Sequence, residues 1–126
     1  MPQSDTREFG DAYADTSVLI DVLGNNTQVR VLAVLIGEAD RDLNATEICQ
    51  QAGIGKSSFY NHIDDLLAYE LVEQVRSVGN SPMYQINTES PAAEALAEFE
   101  WSLIEFVAEK EQAGELDEQN RPILAD

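Results

Sequence analysis

Lys56, Ser57, Ser58 and Asn61 fall within one short stretch whose chemistry suits a nucleic acid. An asparagine amide can pair with adenine in a major groove, and serine hydroxyls can bond bases or phosphates. A lysine together with the amide groups of a helix start favours a phosphate. The other reactive residue types offer less. His62 is the sole histidine and has no His or Cys cluster beside it, which argues against a metal ligand or an acid–base role. Asp64 and Asp65 are adjacent, so on a helix they point about 100° apart and make no catalytic pair. Gly53-Ile54-Gly55-Lys56-Ser57 lacks the full spacing of a phosphate loop and the strand that precedes one. Cys49 is the single cysteine, which leaves no disulfide within the chain and no cysteine cluster. It is expected to be a small buried core residue rather than a redox sensor. No nucleophile, base and orienting residue converge, so an enzyme is not expected, and no catalytic or metal-ligating residue is assigned.

The elements that must carry these residues can be read from spacing. Asp15-Thr16-Ser17 offers a cap for a short helix with Val18, Leu19, Val22 and Leu23, ended by Gly24. Asn26 or Thr27 caps a second helix, whose Val31, Leu32, Leu35 and Ile36 recur at helical spacing until Gly37. Asn44 and Glu47 form a capping box for a third helix, broken at Gly53-Ile54-Gly55. A fourth helix runs from Lys56 to about Tyr69, with an apolar stripe of Phe59, Ile63, Leu66 and Leu67. Leu71–Ser77 and Met83–Ile86 read as strands around a five-residue turn, Val78 to Pro82. Ser90-Pro91 starts a long helix that fades near Gly114.

The chain has 126 residues, which suits one domain, and 44% are hydrophobic, enough for a core. No run of 18 apolar residues and no signal peptide is visible, so a cytoplasmic protein is expected. The charge is unusual: 24 acids against 7 Lys plus Arg, a net of -17. Such a chain repels itself in dilute buffer. At about 1 M salt the Debye length falls to about 3 Å and most of that repulsion is screened. Because the acid is spread along the whole chain, a salt-rich host is the favoured reading over a basic partner. Residues 43–86 are the least acidic part, at -3 against -5 before and -9 after.

The order helix, helix, helix, hairpin from Thr27 to Ile86 is a winged helix-turn-helix pattern. The expected fold class is mainly α with a small β-hairpin (α+β). The stretch Ala-Gly-Ile-Gly-Lys-Ser-Ser-Phe-Tyr-Asn-His-Ile-Asp-Asp-Leu at 52–66, with Glu70-Leu71-Val72-Glu73 and Gly79-Asn80-Ser81-Pro82-Met83-Tyr84, resembles archaeal winged-helix regulators. The broader relatives are the MarR, ArsR and PadR types, and the resemblance is strongest to haloarchaeal members, including regulators of the response to reactive oxygen species. It implies a homodimer that binds double-stranded DNA at a palindromic operator. By position it implies that Lys56, Ser57, Ser58, Tyr60, Asn61 and His62 face DNA from the recognition helix. It likewise places Arg76, Asn80 and Ser81 in the wing and Thr46 near a phosphate.

Only Lys56 and Arg76 supply cations to this helix and wing. Counterion release from six to ten phosphate contacts, the ordinary source of affinity, is therefore out of reach. No cofactor is expected, but K+ ions bridging carboxylates to DNA phosphates would let affinity hold or rise with salt. The long helix, with Leu96, Phe99, Trp101, Leu103, Phe106 and Val107, is expected to form the dimer interface, because it is apolar on more than one side. The implied organisation is a flexible segment at 1–14, the DNA-binding domain at 15–89, a dimerisation helix at 90–112 and an acidic tail at 113–126. The competing reading is a winged-helix protein-interaction module of the transcription machinery that touches no DNA.

Overall fold

The computed structural model describes Ala14 and residues 17–114. The rest of the expected N-terminal segment, Asp15 and Thr16 of the first cap, and the acidic tail beyond 114 lie outside the described residues. Among these residues the order is α1 (Val18–Leu23), α2 (Thr27–Gly37), β1 (Leu43–Asn44), α3 (Ala45–Ala52), α4 (Lys56–Ala68), β2 (Val72–Val78), β3 (Ser81–Ile86) and α5 (Pro91–Gln112). The three strands form one antiparallel sheet in the order β1-β3-β2.

Local chemistry sets most helix starts. Ser17, Asn26 and Ser90 cap α1, α2 and α5 by accepting from backbone amides inside their first turns. Asn44 and Glu47 close a reciprocal capping box on α3, at 2.8 and 2.9 Å. Gly53 ends α3 in the left-handed region at φ 71°, and its N–H and that of Ile54 both donate to the Cys49 carbonyl. Only a residue without a Cβ takes that conformation cheaply, so the tight turn into α4 depends on glycine here.

The core gathers where α2 packs against α1, α3, α4 and β3. Five consecutive α2 residues, Val31 to Leu35, are buried, more than the one-sided stripe expected from spacing. A helix covered on most sides needs apolar residues all round. From α4, Phe59, Ile63 and Leu66 enter this core, and Phe59 meets Tyr84 of β3 edge-on at 5.5 Å. Leu43, Val72 and Ile86 complete its sheet side.

Three sequence expectations are corrected. The hairpin turn has two residues, Gly79-Asn80, rather than five, because Ser81 and Pro82 pair with Val78 and Ser77. Gly79 takes φ 61°, as a tight hairpin turn requires. Pro82 can lie in the middle strand because β1 reaches only Met83 and Tyr84, so the Pro82 amide position has no strand on its other side. Gly37 does not stop α2. It lies within the helix, and the cap is Glu38, whose N–H donates to the Val34 carbonyl. The two-residue strand β1 was not expected, since two residues carry no periodicity.

α5 packs on α1, with Ala93 and Glu100 as its buried residues. They stand seven apart and so share one face. Glu100 is 7% exposed, hydrogen-bonded to Ser17, and burial raises its carboxyl above the ordinary 4.5. Its folded form thus holds a proton more tightly than its unfolded form, and the associated stability is lost as pH rises above 4.5. Glu100→Gln is expected to melt above wild type at pH 7, with the two melting curves converging as pH falls below that value. A Gln variant that melts lower at pH 7 would show that the carboxylate itself holds the seam. No helix among the described residues is long and apolar enough to cross a membrane.

Candidate nucleic-acid interface

Burying one side of α4 determines what its other side shows. With Phe59, Ile63 and Leu66 in the core, Lys56, Ser57, Tyr60 and Asn61 are exposed. Asn61 stands four residues after Ser57, on the same face. Gly55 caps α4 without a side-chain bond, so the first-turn amides of Lys56, Ser57 and Ser58 point out of the helix start, where an anion is favoured. Ser58 is half-buried, and its carbonyl faces Nδ1 of His62 at 2.8 Å. A carbonyl only accepts, so Nδ1 carries the hydrogen and Nε2 is left for an outside partner. Tyr60 lies edge-on to Phe59 at 5.1 Å, which props its ring against the helix while leaving it half-exposed.

Thr46 is exposed in the first turn of α3, beside the capping box. Asn80 and Ser81 are exposed at the hairpin tip. Apart from the half-buried Ser58 and His62, these residues form three exposed groups: one face of α4, the start of α3, and the wing tip. The contact between Phe59 and Tyr84 ties the first group to the hairpin.

Arg76 is placed differently from its neighbours in the wing. Its guanidinium donates to both carboxylate oxygens of Asp42, at 2.7 and 3.1 Å. That pairing holds the Asp42 carboxyl below its usual range and raises Arg76. Sequence reading missed Asp42. It lies 34 positions from Arg76, and no periodicity links a loop residue to a strand.

Cys49 is buried and in no disulfide. Burial raises its thiol above the ordinary value, outweighing the nearby Lys56 charge, so it stays protonated and weakly nucleophilic at neutral pH. No group of three His, Cys, Asp or Glu among the described residues could hold a metal ion.

No protein-family model matches the chain, and no curated protein matches it. Among solved structures, the chain is similar to the antimony-specific transcriptional repressor AntR. The two are 26% identical, the match covers 73% of this chain and 78% of that one, and the TM-score is 0.54. The fold is a winged helix of the kind a transcriptional repressor uses. Within it, α3 and α4 are the helix-turn-helix, β2 and β3 the wing, and β1 the short strand that closes the sheet.

Proposed function

We propose that this winged helix is a sequence-specific DNA-binding transcription regulator that acts as a cytoplasmic homodimer. The observation that carries the reading is the outer face of α4: Lys56, Ser57 and Asn61 are exposed along a helix whose opposite face is locked by Phe59, Ile63 and Leu66. A recognition helix needs that division, because base contacts require a rigid helix with free polar side chains. In this reading Tyr60 and His62 flank those contacts, Thr46 meets a phosphate, and Asn80 and Ser81 approach the neighbouring backbone. The similarity to a repressor supports the class of function.

The dimer is supported by α5. On either side of its Ala93–Glu100 seam lie exposed apolar residues, Phe99 and Phe106 on one flank and Trp101 and Ile104 on the other. One subunit leaves that surface wet, and a second copy would cover it with Leu96, Leu103 and Val107 alongside. A two-fold dimer reads a palindromic operator. The antimony specificity of AntR is not part of the proposal, since one buried cysteine per chain supplies no thiolate cluster. A response to reactive oxygen species follows from the sequence resemblance, with Cys49 playing no sensing part. The net charge of -17 supports a salt-rich host, in which K+ ions bridge carboxylates to phosphates.

The test is selection of duplexes from a random pool, followed by binding measurements from about 0.1 to about 3 M KCl. Asn61→Ala is expected to weaken binding of the selected duplex by about 10- to 100-fold, the value of a bidentate base contact, with dimerisation intact. Affinity that holds or rises with KCl supports ion bridging, and a steep fall rejects it. Failure to select any duplex at any salt would instead support the protein-interaction module, a role the acidity also fits.

A further inference from the structure

The wing holds one of the two cations between residues 43 and 86, and the sheet geometry explains why it is already engaged. Cross-strand partners share a face of a sheet. Leu43, Tyr84, Val72 and Ile86 are buried on the core face, where Gln74 also stands opposite Tyr84. Regular alternation would put Arg76 on that same face, two residues beyond Gln74. Instead the register shifts between Gln74 and Arg76, and Arg76 stands opposite Met83. The extra residue, Val75, is a bulge that turns Arg76 to the outer face.

Asp42 comes just before β1, next to core-facing Leu43, so the same alternation puts it on the outer face too. The two residues bridge both outer strands of the sheet across β3, a span of two strand spacings, about 9–10 Å. Met83, which pairs with Arg76 on one side and Asn44 on the other, is buried although it faces outward, so the Asp42–Arg76 contact runs diagonally over β3. The contact uses both carboxylate oxygens, while the neighbouring cation, Arg41, lies on Glu38 at 3.8 Å. The Arg76 side chain nonetheless remains 61% exposed, so a phosphate can reach it, whereas Asp42 is 14% exposed.

We propose that Asp42 is a positioning residue that limits the wing's hold on DNA by occupying Arg76, so that a backbone phosphate must displace its carboxylate. This rests on the DNA-binding reading. A carboxylate and a phosphate present the same bidentate geometry to a guanidinium, so only one can be satisfied in full. A wing whose cation is neutralised from within contributes little to non-specific affinity, and discrimination is left to the α4 face.

The test measures binding of a labelled duplex, selected by the wild-type chain, against salt for wild type, Asp42→Asn, Arg76→Gln and the double variant. Asp42→Asn is expected to bind roughly tenfold tighter at about 0.1 M salt, with a log–log salt slope more negative by about 1, one added phosphate contact. Arg76→Gln should abolish that gain, so the double variant should match Arg76→Gln alone. Melting temperatures should change little, because exposed ion pairs contribute little stability. Equal affinity and slope for wild type and Asp42→Asn would overturn the proposal. A gain that persists in the Arg76→Gln background would also overturn it, showing that Asp42 acts only as a nearby negative charge. A wild-type chain that selects no duplex would reject the DNA-binding reading itself, and the wing proposal with it.

Discussion

Phe59→Ala is expected to remove about 3–5 kcal/mol of folding stability, the usual cost of emptying a buried aromatic site. Phe59 is fully buried and touches both layers of the molecule. It projects from α4 into the helical core and meets the Tyr84 ring across the sheet at an interplanar angle of 71°. Truncation would therefore leave a cavity at the junction that holds the recognition helix against the wing. Small domains are stable by only about 5–15 kcal/mol, so a loss of this size takes a large share. A drop of about 10–20 °C in melting temperature follows for a chain of this length. Ser57→Ala, on the exposed side of the same helix, should stay within about 0.5 kcal/mol of wild type. Calorimetry on both variants checks the contrast. Similar losses from the two would mean that α4 is not anchored by its inner face.

The second large effect concerns assembly. Replacing Trp101 and Phe106 together with glutamate is expected to weaken the proposed dimer by at least about 30-fold, the effect of losing one aromatic hot spot at an interface. Trp101 is 60% exposed and Phe106 43%, so neither truncation removes much packing within one subunit. Phe106 does lie under the Lys110 ammonium, 5.5 Å from its ring centre, a contact that adds little at an exposed site. The single variants separate the flanks: the one that dissociates the dimer identifies the side of α5 that a second copy covers. Sedimentation velocity in high KCl provides the readout, and operator affinity should fall with dimer population, since each half-site then binds alone. A wild-type chain that sediments as a monomer at tens of micromolar would reject the dimer.

Much of this molecule follows from local chemistry. Ser17, Asn26, the Asn44–Glu47 box and Gly53 each act within four residues of themselves, so their roles could be read without a fold. The inner stripe of α4 was equally legible, because a 3.6-residue period assigns Phe59, Ile63 and Leu66 to one side whatever they pack against. That period also puts Ser57, Ser58, Asn61 and Asp65 on the opposite side, where the structure leaves all but the half-buried Ser58 exposed. Only the tertiary structure decided what depends on distant partners. The five consecutive buried residues of α2 reflect elements packed on several sides of it, which one helix cannot announce. β1 exists because β3 offers it a free edge at Met83 and Tyr84. The inward-facing Glu100 in α5 reads as one more surface acid until α1 covers it. Arg76 is the sharpest case. The resemblance placed it among the DNA-facing residues of the wing, but a bulge at Val75 reverses its face and brings it to Asp42. Strand register is a property of pairs of strands, and a single strand's sequence does not contain it.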